Sequence, residues 1–229
     1  MEHTISGKPE FSMAELVLEQ GESVVAESGA MVSCTPSIRV KTSMRGGLFA
    51  GLKRKALGGE SFFVNTYTAE QGRETICLAP SVPGDMMHRH LDNEEFFLQS
   101  GAFVASSEHV DLDTKFQGLK GFISGEGLFM LKASGRGDLF FSSYGAIEEL
   151  SVDDFGGSYT IDTGFIVGFE STLDYRVRTV GGIKSTFFSG EGLVCTFSGT
   201  GKVYLQTRAV QPFASWIHPF RRVKSSSND

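Results

Sequence analysis

The residues of this 229-residue chain whose types and spacing come nearest to chemistry are His88, Arg89, His90 and Glu94. Histidines two apart on a strand point to one face, and two imidazoles with a carboxylate can hold iron, manganese or zinc. The implied cofactor would be one divalent transition metal. A second set of acids recurs along the chain: Glu60 in GGESFF, Glu126 in SGEGLF and Glu191 in SGEGLV. Three carboxylates repeated at one place could line a common axis as a ligand ring. A glycine-flanked acid before a strand is also ordinary turn chemistry, with glycine supplying positive φ and the acid facing water. A third candidate is Gly46–Gly59, GGLFAGLKRKALGG, where Leu48, Phe49 and Leu52 accompany Lys53, Arg54 and Lys55. Basic residues beside an apolar side suit a peripheral membrane surface or a protein partner. A glycine-bounded surface loop is the plainer reading.

With Gly101 added, the histidine set reads H-x-H-x3-E-x6-G, which resembles most of the first metal-binding motif of cupins. Val82 stands where that motif has a glycine, and neither His109 nor His218 has the P-x-G-x2-H setting of the second motif. Glu22 to Gly29 shows the same E-x6-G spacing with no histidine near it. Glu94 therefore belongs to a pattern of the chain itself, and only the H-x-H pair is left to chemistry. The expectation is no cofactor, with a cupin-like metal enzyme using His88, His90 and Glu94 as the alternative.

The elements that must position these residues form a repeat. SGEGLFMLKASGRG at 124–137 returns as SGEGLVCTFSGTG at 189–201, and more loosely as GGESFFVNTYTAEQG at 58–72. The glutamates at 60, 126 and 191 are 66 and 65 residues apart. A second marker ends in Gly29, Gly101 and Gly164, each followed by an apolar run: AMV, AFV and FIV. A fixed period of this length means units that share a core with their neighbours. The expected fold is all-β: three pseudo-symmetric repeats of antiparallel strands in one sandwich-like or prism-like domain. Its units are about 11–72, 73–137 and 138–208, followed by a closing segment, 209–220, that covers an open sheet end, and a disordered tail, 221–229.

Within the units, Ile38, Val40 and Thr42 alternate with Arg39 and Lys41 as a half-buried strand. Ser61–Tyr67 with Glu74–Leu78, and Leu128–Leu131 with Leu139–Phe141, read as hairpins. High glycine (28) and phenylalanine (20) with only 6 prolines suit many short strands joined by tight turns. No apolar run approaches the roughly 20 residues that span a bilayer. Cys34, Cys77 and Cys195 are odd in number and lie in apolar runs, which predicts reduced, buried thiols in a cytoplasmic protein. A net charge of -6 opposes general nucleic-acid binding. No nucleophile, base and orienter set of the kind acyl or phosphoryl transfer needs is legible. A non-enzymatic scaffold or binding protein is the expectation, and a homo-oligomer follows from repeated strands that leave edges to cover.

GGLFAGLKRKALGGESFF, with SGAMV before it and PGDM, SGEGLFML and LQTRAVQPFASWI after it, resembles a family of uncharacterised bacterial and archaeal proteins. That family is related to the yeast factor named for altered inheritance of mitochondria. The resemblance runs from Phe11 to about Phe220. It implies a β fold with three-fold pseudo-symmetry, classed with proteins like the tryptophan RNA-binding attenuation protein, and no established activity. An RNA-binding module is the faintest alternative, since fold kinship does not carry function.

Overall fold

The computed structural model describes residues 1–44, 63–113, 130–179 and 193–221. Period-two alternation shapes its strands. In β2 (Met13–Leu18) Ala14, Leu16 and Leu18 are buried and Glu15 is exposed. In β7 (Glu74–Leu78) Glu74, Ile76 and Leu78 face inward. Ahead of the repeat markers, β1 (Glu2–Ser6) adds a strand antiparallel to β2.

The strand pairings fall into three comparable sets. β2 pairs with β7, the first half of β8 (Met86–Gln99) with the second half of β11 (Met130–Ser142), and β12 (Ile147–Ser151) with β17 (Lys202–Gln206). β7, β11 and β17 each take a further partner: β4 (Met31–Cys34), β9 (Phe103–Ser107) and β14 (Ile166–Glu170). The register slips once in each of these pairs, at Val32, Val104 and Val167. β6 (Phe63–Ala69) lies between β3 (Ser23–Glu27) and β5 (Ile38–Met44). The first half of β11 lies between the second half of β8 and β10 (Val110–Asp113), and β16 (Leu193–Ser198) between β13 (Ser158–Asp162) and β15 (Asp174–Thr179).

Hydrogen bonding assembles these strands into three antiparallel sheets. The large one runs β12-β17-β14-β8-β11-β9-β3-β6-β5 with β10 attached to β11; the others are β1-β2-β7-β4 and β13-β16-β15. Three apolar clusters lie between layers. Leu16, Leu18, Ile76 and Leu78 of the four-stranded sheet pack on Val24, Tyr67 and Phe140. Leu91, Phe96, Leu98, Phe103, Leu131 and Phe141 form the middle cluster. Cys195 and Phe197 of the three-stranded sheet pack on Phe169 and Val203. Six phenylalanines, at 96, 103, 140, 141, 169 and 197, are fully buried, each worth roughly 1.5–3 kcal/mol of transfer. The architecture is the all-β, sandwich-like one expected.

Several local expectations are corrected. β6 and β7 are not a hairpin: β6 belongs to the large sheet and β7 to the four-stranded one. Leu128–Leu131 with Leu139–Phe141 is not one either, because β11 runs unbroken from Met130 to Ser142 with a bulge at Gly135/Arg136. Gly135 and Gly137 have φ of +111° and +148°, so the strand bends from one layer into the next where a tight turn would have folded it back. The closing segment is an amphipathic helix, α1 (Val210–Ile217), and a 3-10 turn, His218–Phe220; Ala209 before them is buried and Phe213 meets Tyr144 edge-on at 5.7 Å. Val40 is exposed because β5 is the end strand of its sheet. Of the three thiols only Cys195 is buried; Cys77 is half-buried and Cys34 exposed.

Candidate functional site

His88 and His90 share one face of β8, as their spacing requires, and the residue they meet is Asp138 on the neighbouring strand. His88 Nε2 and His90 Nδ1 both lie 2.9 Å from Asp138 Oδ1. The ammonium of Met1 reaches Asp138 Oδ2 at 3.2 Å, and the backbone N–H of Asp138 donates to Ser107 Oγ at 2.9 Å. The His3 ring lies 4.0 Å from that of His88, and both pack on Phe140. Gly137 is required here, since a Cβ on it would come within 2.7 Å of Ser107 Cβ.

Burial alone would push the Asp138 carboxyl up, but hydrogen bonds from His90, His88 and the Met1 ammonium hold it at about 2. An ionised carboxylate only accepts, so both rings donate to it; in neutral rings Nδ1 of His88 and Nε2 of His90 carry the lone pairs. Burial lowers His88, with the nearby His3 and His90 charges adding to it, while the bond to Asp138 works the other way. The arrangement is a half-buried polar clasp joining β8, β11 and β9.

Glu94 is not part of it. Asn93, at φ +59°, and a register shift let β8 change course, and Glu94 turns to Arg89 on the other side of the strand. Arg89 grips both Glu94 oxygens, Nε at 3.3 Å and Nη2 at 3.1 Å, while Nη1 donates to Glu170 Oε1 at 2.9 Å and to Tyr204 Oη at 3.2 Å. The guanidinium also lies 5.1 Å from the Phe96 ring centre. Such charge-assisted, bidentate pairing fixes geometry, and here it ties β8 to β14 and β17. The structure thus brings His88 and His90 together and leaves Glu94 out of the set. Among the described residues, no group of three or more His, Cys, Asp or Glu side chains is placed to hold a metal ion.

Asp138 was missed as an organising residue, and Arg89 was seen beside the histidines without its partners Glu170 and Tyr204, because neither role is marked by spacing. Each acts across a strand pairing, and only the register, Asp138 opposite His90, reveals the partner. Glu60, Glu126 and Glu191 lie outside the described residues, as do Leu48, Phe49, Leu52, Lys53, Arg54 and Lys55. The Cys195 thiol is pushed by burial up to about 12, which suits a packing role. Among the described residues no helix is long and apolar enough to cross a membrane.

Antiparallel sheets, stacked apolar clusters and two polar clasps that stitch strands together define an all-β, sandwich-like protein. The sequence profile of the mitochondrial biogenesis AIM24 family matches residues 3–208, and this chain belongs to that family. It is 31% identical over 236 residues to an uncharacterised protein of Streptococcus pyogenes serotype M6, covering 100% of this chain and 93% of that one. The crystal structure of protein SPYM3_0169 from Streptococcus pyogenes matches with a TM-score of 0.80 at 31% identity, over 96% of this chain and 99% of that chain.

Proposed function

We propose that this protein is a non-enzymatic cytoplasmic scaffold, one domain made of three copies of a six-strand unit, which assembles with copies of itself and binds partners on its faces. The observation that carries the reading is the pairing plan. β7, β11 and β17 each hold a bulged partner, and the bulge falls on a valine each time. A unit reused three times suits a protein whose product is a surface. The clasps support this, because Asp138 and Arg89 spend their hydrogen bonds on neighbouring strands. Free thiols at Cys34, Cys77 and Cys195 agree with a reducing compartment. Light scattering at tens of micromolar tests the assembly: a mass of two or more chains is expected, and a sharp monomer peak would remove it.

A further inference from the structure

The two junctions between successive units share one register. Counted from the marker glycines Gly29, Gly101 and Gly164, β3 meets β9 as Val24↔Ser107, Val25↔Ser106 and Ala26↔Ala105, pairing positions -5, -4 and -3 with +6, +5 and +4. β8 meets β14 as Phe96↔Glu170, Phe97↔Phe169 and Leu98↔Gly168, the same positions again. The third junction in the series would join β13 to β4, and among the described residues those strands pair only with β16 and β7. We infer that β13 of one copy pairs antiparallel with β4 of a second copy, in the register Tyr159↔Thr35, Thr160↔Cys34 and Ile161↔Ser33. This rests on the three-unit reading above and names its assembly surface.

Three further observations point the same way. All four residues of β4 are exposed, whereas the first four of β9 and of β14 are buried. A strand of this type is covered only when its neighbour is present. Next, the bulge valine of each joined strand enters the core of the preceding unit: Val104 belongs to the first cluster and Val167 to the middle one, both at 0% exposure. Val32, their counterpart, is 57% exposed. It is a knob lacking a hole, and the third cluster of another copy supplies the matching place.

Finally, proteins usually guard edge strands with charge. β5 carries Arg39 and Lys41, β12 carries Glu148 and Glu149, and β15 carries Asp174, Arg176 and Arg178. β4 reads MVSC, and β13 reads SYTID with its one acid at the end. Among the described residues these two edges are left open to main-chain hydrogen bonding, the basis of strand addition. Because the two surfaces differ, the contact is head-to-tail and propagates into a ring or a filament.

The test uses the full chain carrying Thr160→Cys with its native Cys34. Residues directly opposite across a strand pair have Cβ atoms about 4.5–5.5 Å apart, close enough for a disulfide after small adjustment. Mild oxidation at tens of micromolar should give a ladder of dimers, trimers and higher species on a non-reducing gel. The ladder should vanish when Cys34→Ser is added and fall at least tenfold with Val32→Asp. A Cys34 bridge formed within single chains, at unchanged mass, would overturn the inference by closing the seam in one molecule. No bridge in a protein that light scattering shows to be oligomeric would also overturn it, leaving the assembling scaffold intact. No bridge and a monomeric mass would remove both.

Discussion

Val104 and Val32 occupy the same place in their strands, three residues after a marker glycine and at the same register slip, yet one is fully buried and the other mostly exposed. Their own strands do not explain the contrast, since β9 and β4 are bound to β11 and β7 in the same way. The difference is what lies on the open side: β9 has β3, and β4 has no strand there among the described residues. Under the proposed assembly, burial of this strand type is supplied by the preceding unit, and the two ends of the series are the surfaces that join.

The comparison breaks most sharply under a charge. Val104→Asp places an unpaired carboxylate in a dry core and should cost more than about 4 kcal/mol, enough to abolish cooperative unfolding in urea. Val32→Asp should change the monomer's stability by no more than about 0.5 kcal/mol while removing self-association. Equal destabilisation by the two would end the distinction.

A steric version probes the second junction. A Cβ on Gly168 would meet the Phe96 ring and the Phe97 carbonyl oxygen at 2.8 Å, so Gly168→Ala should cost about 3 kcal/mol, measured by chemical denaturation. Ser33, at the matching position of β4, should accept alanine with almost no change.

The clasp at the first junction gives a pH dependence. Asp138 titrates at about 2 against an ordinary 3.8, so it contributes on the order of 2 kcal/mol, fully present above pH 4 and lost as pH falls through that interval. His88, lowered below 6.5 by burial, adds a loss in the same direction as acid first protonates the unfolded chain below that value. Thermal midpoints should therefore fall on acidification in two stages, and Asp138→Asn should erase the lower one. The smallest effect belongs to α1: Trp216, 64% exposed, should tolerate serine within about 0.5 kcal/mol and leave the oligomer mass unchanged. A drop in mass would move the assembly surface to the helix.

The periodic features were legible because they are local. The marker glycines and the apolar runs after them located β3, β4, β8, β9, β13 and β14 before any pairing was known. The direction of the chain after Gly72, Gly137 and Gly201 was not legible, because a glycine at positive φ serves a tight turn and a bend between sheets equally well. Asp138 and the role of Arg89 were hidden for another reason: their partners lie across the sheet, at His88, His90, Glu170 and Tyr204.

Hydrogen exchange as a function of concentration tests the central claim most directly. Amides of β3 and β9 should be protected equally at every concentration, because that junction lies within the chain. Within Ser33–Thr35 and Tyr159–Ile161, the Cys34 and Thr160 amides, which alternation turns to the open edges while Thr35 N–H donates to Thr75 O, should exchange fast at high dilution and gain protection together as concentration rises through the assembly range. Protection of those segments that is the same at all concentrations, or that never develops in assembled protein, would contradict the account.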